Sequence, residues 1–147
     1  MERISIRYVE APKRKDQREL IRWFCMAFGL ESSTDKGIGI EEELLRELAE
    51  ATYSDKGLSS SKIKLREGVA RSTVIYHLNR LMEAGLVTRR GRRYYLRSAD
   101  MYRSIEEIEY DLTREMKRML DFAKEFDRVM LAKHSKEQRV LGVSNER

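Results

Sequence analysis

The sequence predicts a mainly α-helical protein with one small β-hairpin, and three observations carry the prediction. Apolar side chains recur at steps of three and four through most of the 147 residues, the period of amphipathic helices. Two short β-prone runs, Leu86-Val87-Thr88 and Tyr94-Tyr95-Leu96, flank a loop centred on Gly91, which reads as a hairpin. Residues 56–97 hold eleven Lys/Arg against two Glu, so this segment more than accounts for the formal charge of +5 on the whole chain. The rest of the sequence is organised around that basic stretch.

Arg3 to Val9 alternate polar and apolar residues, the pattern of a half-buried strand, with an unstructured N-terminus as the other reading. Pro12 suits the first turn of a helix, where its missing N–H costs nothing. Leu20, Ile21, Phe24, Cys25 and Phe28 follow on one face, widened by Trp23, Ala27 and Leu30. Gly29 and the polar run 31–36 stop that helix, and Gly37-Ile38-Gly39 links it to the next. Residues 40–53 form a second amphipathic helix, with Leu44, Leu45 and Leu48 on one face and Glu41, Glu42 and Glu43 at its positive end.

Ser54-Asp55-Lys56-Gly57 is turn chemistry. Ser59 is placed to cap a short helix running toward Gly68, with Leu58 as its staple. A longer helix over 70–84 follows, with Val74, Leu78 and Leu81 inward and Gly85 at its C-terminal end. The hairpin comes next, with Arg89, Arg90, Arg92 and Arg93 around Gly91. From residue 98 to about 134 runs the longest helical pattern. Ile105, Ile108, Leu112, Met116, Met119, Ala123, Phe126 and Met130 step by three or four, with one slip between Leu112 and Met116. A narrow apolar seam on a helix of about 50 Å points to pairing with another helix. Residues 135–147 have no periodicity and read as a loose tail.

The organisation expected is therefore an N-terminal extension (1–39), a basic core domain (40–97), a long dimerisation helix (98–134) and a tail (135–147). The single Cys25 rules out an intrachain disulfide framework and reads as a buried, inert thiol. No signal peptide and no apolar run of about 20 residues is evident, so a soluble cytoplasmic protein without membrane contact is expected. Metal binding is not expected either: there is one Cys, and His77 and His134 are far apart in sequence. No phosphate-loop, dinucleotide or nucleophile-elbow motif occurs. The chain gives no sign of being an enzyme, and no cofactor is expected.

Helix, helix, turn, helix and hairpin in this order resemble the winged helix-turn-helix fold of prokaryotic transcription regulators. Arg71-Ser72-Thr73-Val74, then His77-Leu78, then Leu81-Met82-Glu83-Ala84-Gly85-Leu86-Val87 are similar to the recognition helix and wing entry of the ArsR/MarR-like group. The resemblance covers roughly residues 40–97. It implies a homodimer on double-stranded DNA, with the 70–84 helix in the major groove. Arg71, Ser72, Thr73, Tyr76, Asn79 and Arg80 are then the groove-facing candidates. Arg89, Arg90, Arg92 and Arg93 are candidates for phosphate or the narrow minor groove. The seam of eight residues from Ile105 to Met130 would pair two copies, whose recognition helices reach grooves about 34 Å apart. A small-molecule effector would lie between the basic domain and the helical layer, near Trp23, Phe24 and Phe28.

The sequence departs from the pattern at Lys64 and Glu67, where a small and an apolar residue are usual, and at Ala70, where Ser usually caps the helix. It also adds the helix over 12–30. Two other classes fit the charge less well. A protein–protein adaptor needs no basic concentration on one motif, and a nonspecific nucleic-acid binder spreads its charge along the chain.

Overall fold

A computed structural model describes residues 2–30, 39–63 and 68–141. Four α-helices and a three-stranded antiparallel sheet make up the described part: α1 (Gln17–Ala27), α2 (Ile40–Tyr53), β1 (Leu58–Ser59), α3 (Arg71–Glu83), β2 (Val87–Arg90), β3 (Arg93–Leu96) and α4 (Met101–Leu141). The chain divides into two units, Met1–Glu107 and Ile108–Arg147. A mainly helical fold with a small sheet is thus as expected.

The core of the first unit follows the apolar periodicities. Leu44, Leu45 and Leu48 of α2, Val74, Leu78 and Leu81 of α3, and Leu86, Tyr94 and Leu96 of the hairpin are all buried. Cys25, Ala27, Phe28 and Leu30 at the end of α1 complete it. Thr52 ties α2 to the sheet, because its hydroxyl donates to Leu48 O at 2.7 Å and accepts from Leu96 N–H at 2.9 Å. α2 has the predicted bounds, and Glu42 reaches back to the Gly39 N–H at 2.6 Å, one half of a capping box.

Several expectations need correction. Residues 3–9 form no strand. Two of their N–H groups bond carbonyls at helix ends instead, Arg3 to Glu83 O (2.6 Å) and Arg7 to Ala27 O (2.8 Å), so the segment satisfies orphan C-terminal carbonyls without a ladder. The first helix starts at Gln17 and not at Pro12. Lys13-Arg14-Lys15 would set three cations at a positive helix end, and Asp16 supplies the cap, accepting from Glu19 N–H at 2.9 Å.

Over the described residues up to Ile63, the short helix expected after Ser59 is not formed as an α-helix. Leu58 and Ser59 are strand β1, pairing with Tyr94 and Arg93, and Ser60–Lys62 make a single 3-10 turn. Ser59 accepts no capping bond, and a Ser-Ser-Ser run competes poorly for helix while β3 offers a free edge. Lys64 and Glu67, the two departures in this helix, lie outside the described residues, as does the 31–38 linker region. Gly57 makes the β1 turn possible: its φ is +63°, and a Cβ there would come within 2.4 Å of the Tyr95 ring.

α4 is longer than expected. It runs on through residues 135–141, so the tail assignment fails there, and Asp100 starts the helix by accepting from Arg103 N–H at 2.7 Å. Residues 142–147 lie outside the described part.

Candidate nucleic-acid interface

α3 is set by its inward face. Val74, Leu78 and Leu81 are buried, and what remains exposed is Arg71, Ser72, Tyr76 and Asn79. Thr73 is half-buried. Ala70 occupies the cap position with extended backbone and no side-chain bond, as its methyl side chain requires. Arg71 has no carboxylate partner among the described residues, and Tyr76 stacks edge-on against His77 at 5.0 Å between centroids.

Arg80 is not on the exposed face. Its guanidinium bonds Oε1 of Glu41, and a longer contact of 3.4 Å reaches Gly29 O. His77 Nδ1 lies 2.7 Å from the same carboxylate oxygen. Glu41 itself is buried (1 % exposed), and its Oε2 has no hydrogen-bond partner among the described residues. The sequence assigns Glu41 to the positive end of α2 and Arg80 to the groove-facing side of α3. Both are instead members of a buried polar lock joining α1, α2 and α3. The missed signal is a helical-wheel one: His77 lies only about 60–70° from the inward direction of α3, too close to the core to be free.

The hairpin arginines are strand residues more than loop residues. β2 and β3 pair Arg89 with Tyr94 and Arg90 with Arg93, leaving a two-residue turn of Gly91 and Arg92, with Gly91 at φ +64°. Alternation sends Arg89 and Arg90 to opposite faces. The Arg90 guanidinium sits 4.0 Å over the Tyr95 ring and Arg89 lies 5.7 Å from Tyr94. Arg89 Nε donates to Gly91 O (2.8 Å) and Arg93 donates to Lys56 O (3.1 Å). All four are exposed, and among the described residues none is paired with a carboxylate. Arg97, in contrast, is half-buried and paired with Glu2 (3.2 Å) and Glu107 (3.1 Å), which keeps its charge internal.

Between α3 and β2 a shallow groove of about 490 Å³ is lined by Asn79, Met82, Thr88 and Arg89, with Glu2 and Glu83 also on its wall. Trp23, Phe24 and Phe28 are engaged in packing: the Trp23 indole donates to Glu10 O at 2.9 Å and stands edge-on to Phe24, and Phe28 is buried. Cys25 is buried, and burial, reinforced by the carboxylates of Glu42 and Glu41 and opposed by Arg80, pushes its thiol far above the ordinary range. No group of three or more His, Cys, Asp or Glu with metal-binding geometry occurs among the described residues.

The pairing candidates on α4 divide into two sets. Ile108 is buried and Ile105 and Leu112 are half-buried, whereas Met116, Met119, Ala123, Phe126 and Met130 are exposed. Leu120, Phe122, Val129 and Leu131 are exposed as well, so the apolar surface is broader than the narrow seam expected. On a wheel it covers an arc of about 200°. Ion pairs between neighbours on the helix, Glu115 with Arg118 and Glu125 with Arg128, supply its charge, and Arg128 holds the Glu125 carboxyl below its usual range. No helix among the described residues is long and apolar enough to cross a membrane. No family model, curated protein or solved structure matches the chain.

Proposed function

We propose that the protein is a DNA-binding transcription regulator of the winged helix-turn-helix type, acting as a cytoplasmic homodimer and acting most simply by occluding a promoter. α3 would enter the major groove, with Arg71 and Asn79 bonding base edges and Ser72 and Tyr76 contacting bases or phosphates. The hairpin would lie along the backbone or minor groove through Arg89, Arg90, Arg92 and Arg93. One observation carries this reading: the solvent face of α3 and the hairpin present five arginines with no carboxylate partner among the described residues, whereas Arg80 and Arg97 of the same segment are held in ion pairs. A cationic surface left unneutralised in this way fits a polyanion, and Arg suits phosphate through its bidentate fork.

Arg80 is withdrawn from the list of base-contacting candidates, since removing it from Glu41 would leave a buried charge unpaired. The remaining candidates are separable by experiment. Fluorescence anisotropy with a mixed-sequence duplex, titrated across salt, should show affinity falling linearly on a logarithmic salt axis. Salt-independent binding, or none, would remove nucleic acid as the partner.

A further inference from the structure

Resting on the reading of a homodimer, we infer that the second copy docks antiparallel along α4, about a two-fold axis near residues 124–125. The occupant is a second copy of this chain because the exposed apolar band of α4 and the charges beside it complement a second copy run antiparallel. The exposed seam Met116, Met119, Ala123, Phe126, Met130 follows an unbroken heptad from Met116 onward. Phe122 and Val129, 63 % and 49 % exposed, lie along one flank of it with Glu115 and Lys136. Leu120, Asp127 and His134 lie along the other.

Parallel, in-register pairing opposes each flank to the other flank and each seam residue to its own copy. It sets Phe122 beside Asp127 of the second copy, and stacks Lys133 on Lys133 and Glu137 on Glu137 where the seam continues. Antiparallel pairing opposes like flanks. Phe122 then meets Val129 of the second copy and Glu115 meets Lys136, with Ala123 against Phe126, a small side chain facing a large one. Lys136 has no carboxylate partner among the described residues, and Glu115 holds only an exposed bond of 3.4 Å to Arg118, so both charges are available. On the other flank the same register sets Leu120 beside Asp127 of the second copy, at the solvent edge, where the carboxylate keeps its water.

The test uses the full chain with Arg139→Cys carrying a spin label, Cys25 being buried and unreactive, together with sedimentation at micromolar concentration. An antiparallel dimer sets the two labels about 40 Å or more apart along the axis. A companion charge swap checks the register: Glu115→Lys should weaken the dimer by roughly fivefold or more, and adding Lys136→Glu should restore it. A dimer with closely spaced labels overturns the antiparallel arrangement and leaves the dimer standing. A dimer with distant labels in which the double swap fails to restore affinity overturns the register. A monomer overturns both the arrangement and the homodimer it rests on.

Discussion

Arg80 of α3 and Glu41 of α2 form an ion pair across the helix interface, with the carboxylate fully buried and His77 sharing its Oε1. The pair adds to the buried Val74, Leu78 and Leu81, whose packing sets the rotation of α3 about its own axis. With that face inward, Arg71, Ser72, Tyr76 and Asn79 are left exposed.

Replacing Arg80 by Ala should therefore destabilise the fold and leave site preference alone. A broken buried pair costs about 3–5 kcal/mol, and since the Arg80 side chain is 30 % exposed, about 2–3 kcal/mol is expected here. Urea unfolding measures the loss. An unchanged midpoint, or a changed ranking of DNA sites by the folded variant, would contradict the lock.

The exposed arginines should separate into two kinds. Arg71→Ala, and likewise Tyr76→Ala, should reduce discrimination between DNA sites, by about 1–3 kcal/mol for a bidentate base contact. Arg92→Ala should weaken all sites alike and lower the salt slope by about one. Competition binding with matched and scrambled duplexes reads both. A single, sequence-independent effect from all three would contradict the division between α3 and the hairpin.

Two glycines with nearly equal φ should respond differently to Ala. At Gly91 nothing lies within 4 Å of the added Cβ, so the cost is the left-handed backbone alone, about 1–2 kcal/mol. At Gly57 the Cβ would also meet Tyr95 at 2.4 Å, displacing the ring or the β1 turn. Thermal unfolding should show Gly57→Ala as clearly the less stable of the two. Equal losses would mean that Tyr95 moves freely.

Much of this was legible in the sequence, for identifiable reasons. The bounds of α2 and α3 followed from apolar period, Glu42, and the Ala84-Gly85 end, all of which act locally. β1 was not legible, because a two-residue strand at Leu58-Ser59 exists only through its partner Tyr94-Arg93, which is 34 or more residues away. Arg80 was ambiguous for a geometric reason: it and Asn79 stand about 130° to either side of the inward direction of α3. Only the position of Glu41 on α2 decides between them. The length of α4 was underestimated because residues 135–141 continue the helix without an apolar stripe to announce it.

Cys25 offers a pH test. Its folded thiol pKa is raised, so the native state keeps the proton after the unfolded chain, at about 8.5, has lost it. The stability that depends on a neutral thiol is complete below that value. It falls as pH rises above it, by up to about 1.4 kcal/mol per unit. Urea unfolding at pH 8 and 10 should show a larger loss for the natural chain than for Cys25→Ala. The thiol should also resist alkylation at pH 8 until urea is added. Rapid alkylation of the native protein would contradict the buried core at the end of α1.

The central claim is sequence-specific DNA recognition by α3 and the hairpin. Its most direct test is capture of fragments of the encoding genome by the full protein at raised salt, followed by footprinting of what is retained. The account predicts a small set of retained sites, each protecting two inverted segments, and loss of that selectivity with Arg71→Ala. Uniform retention of all fragments, or retention of none, would contradict it.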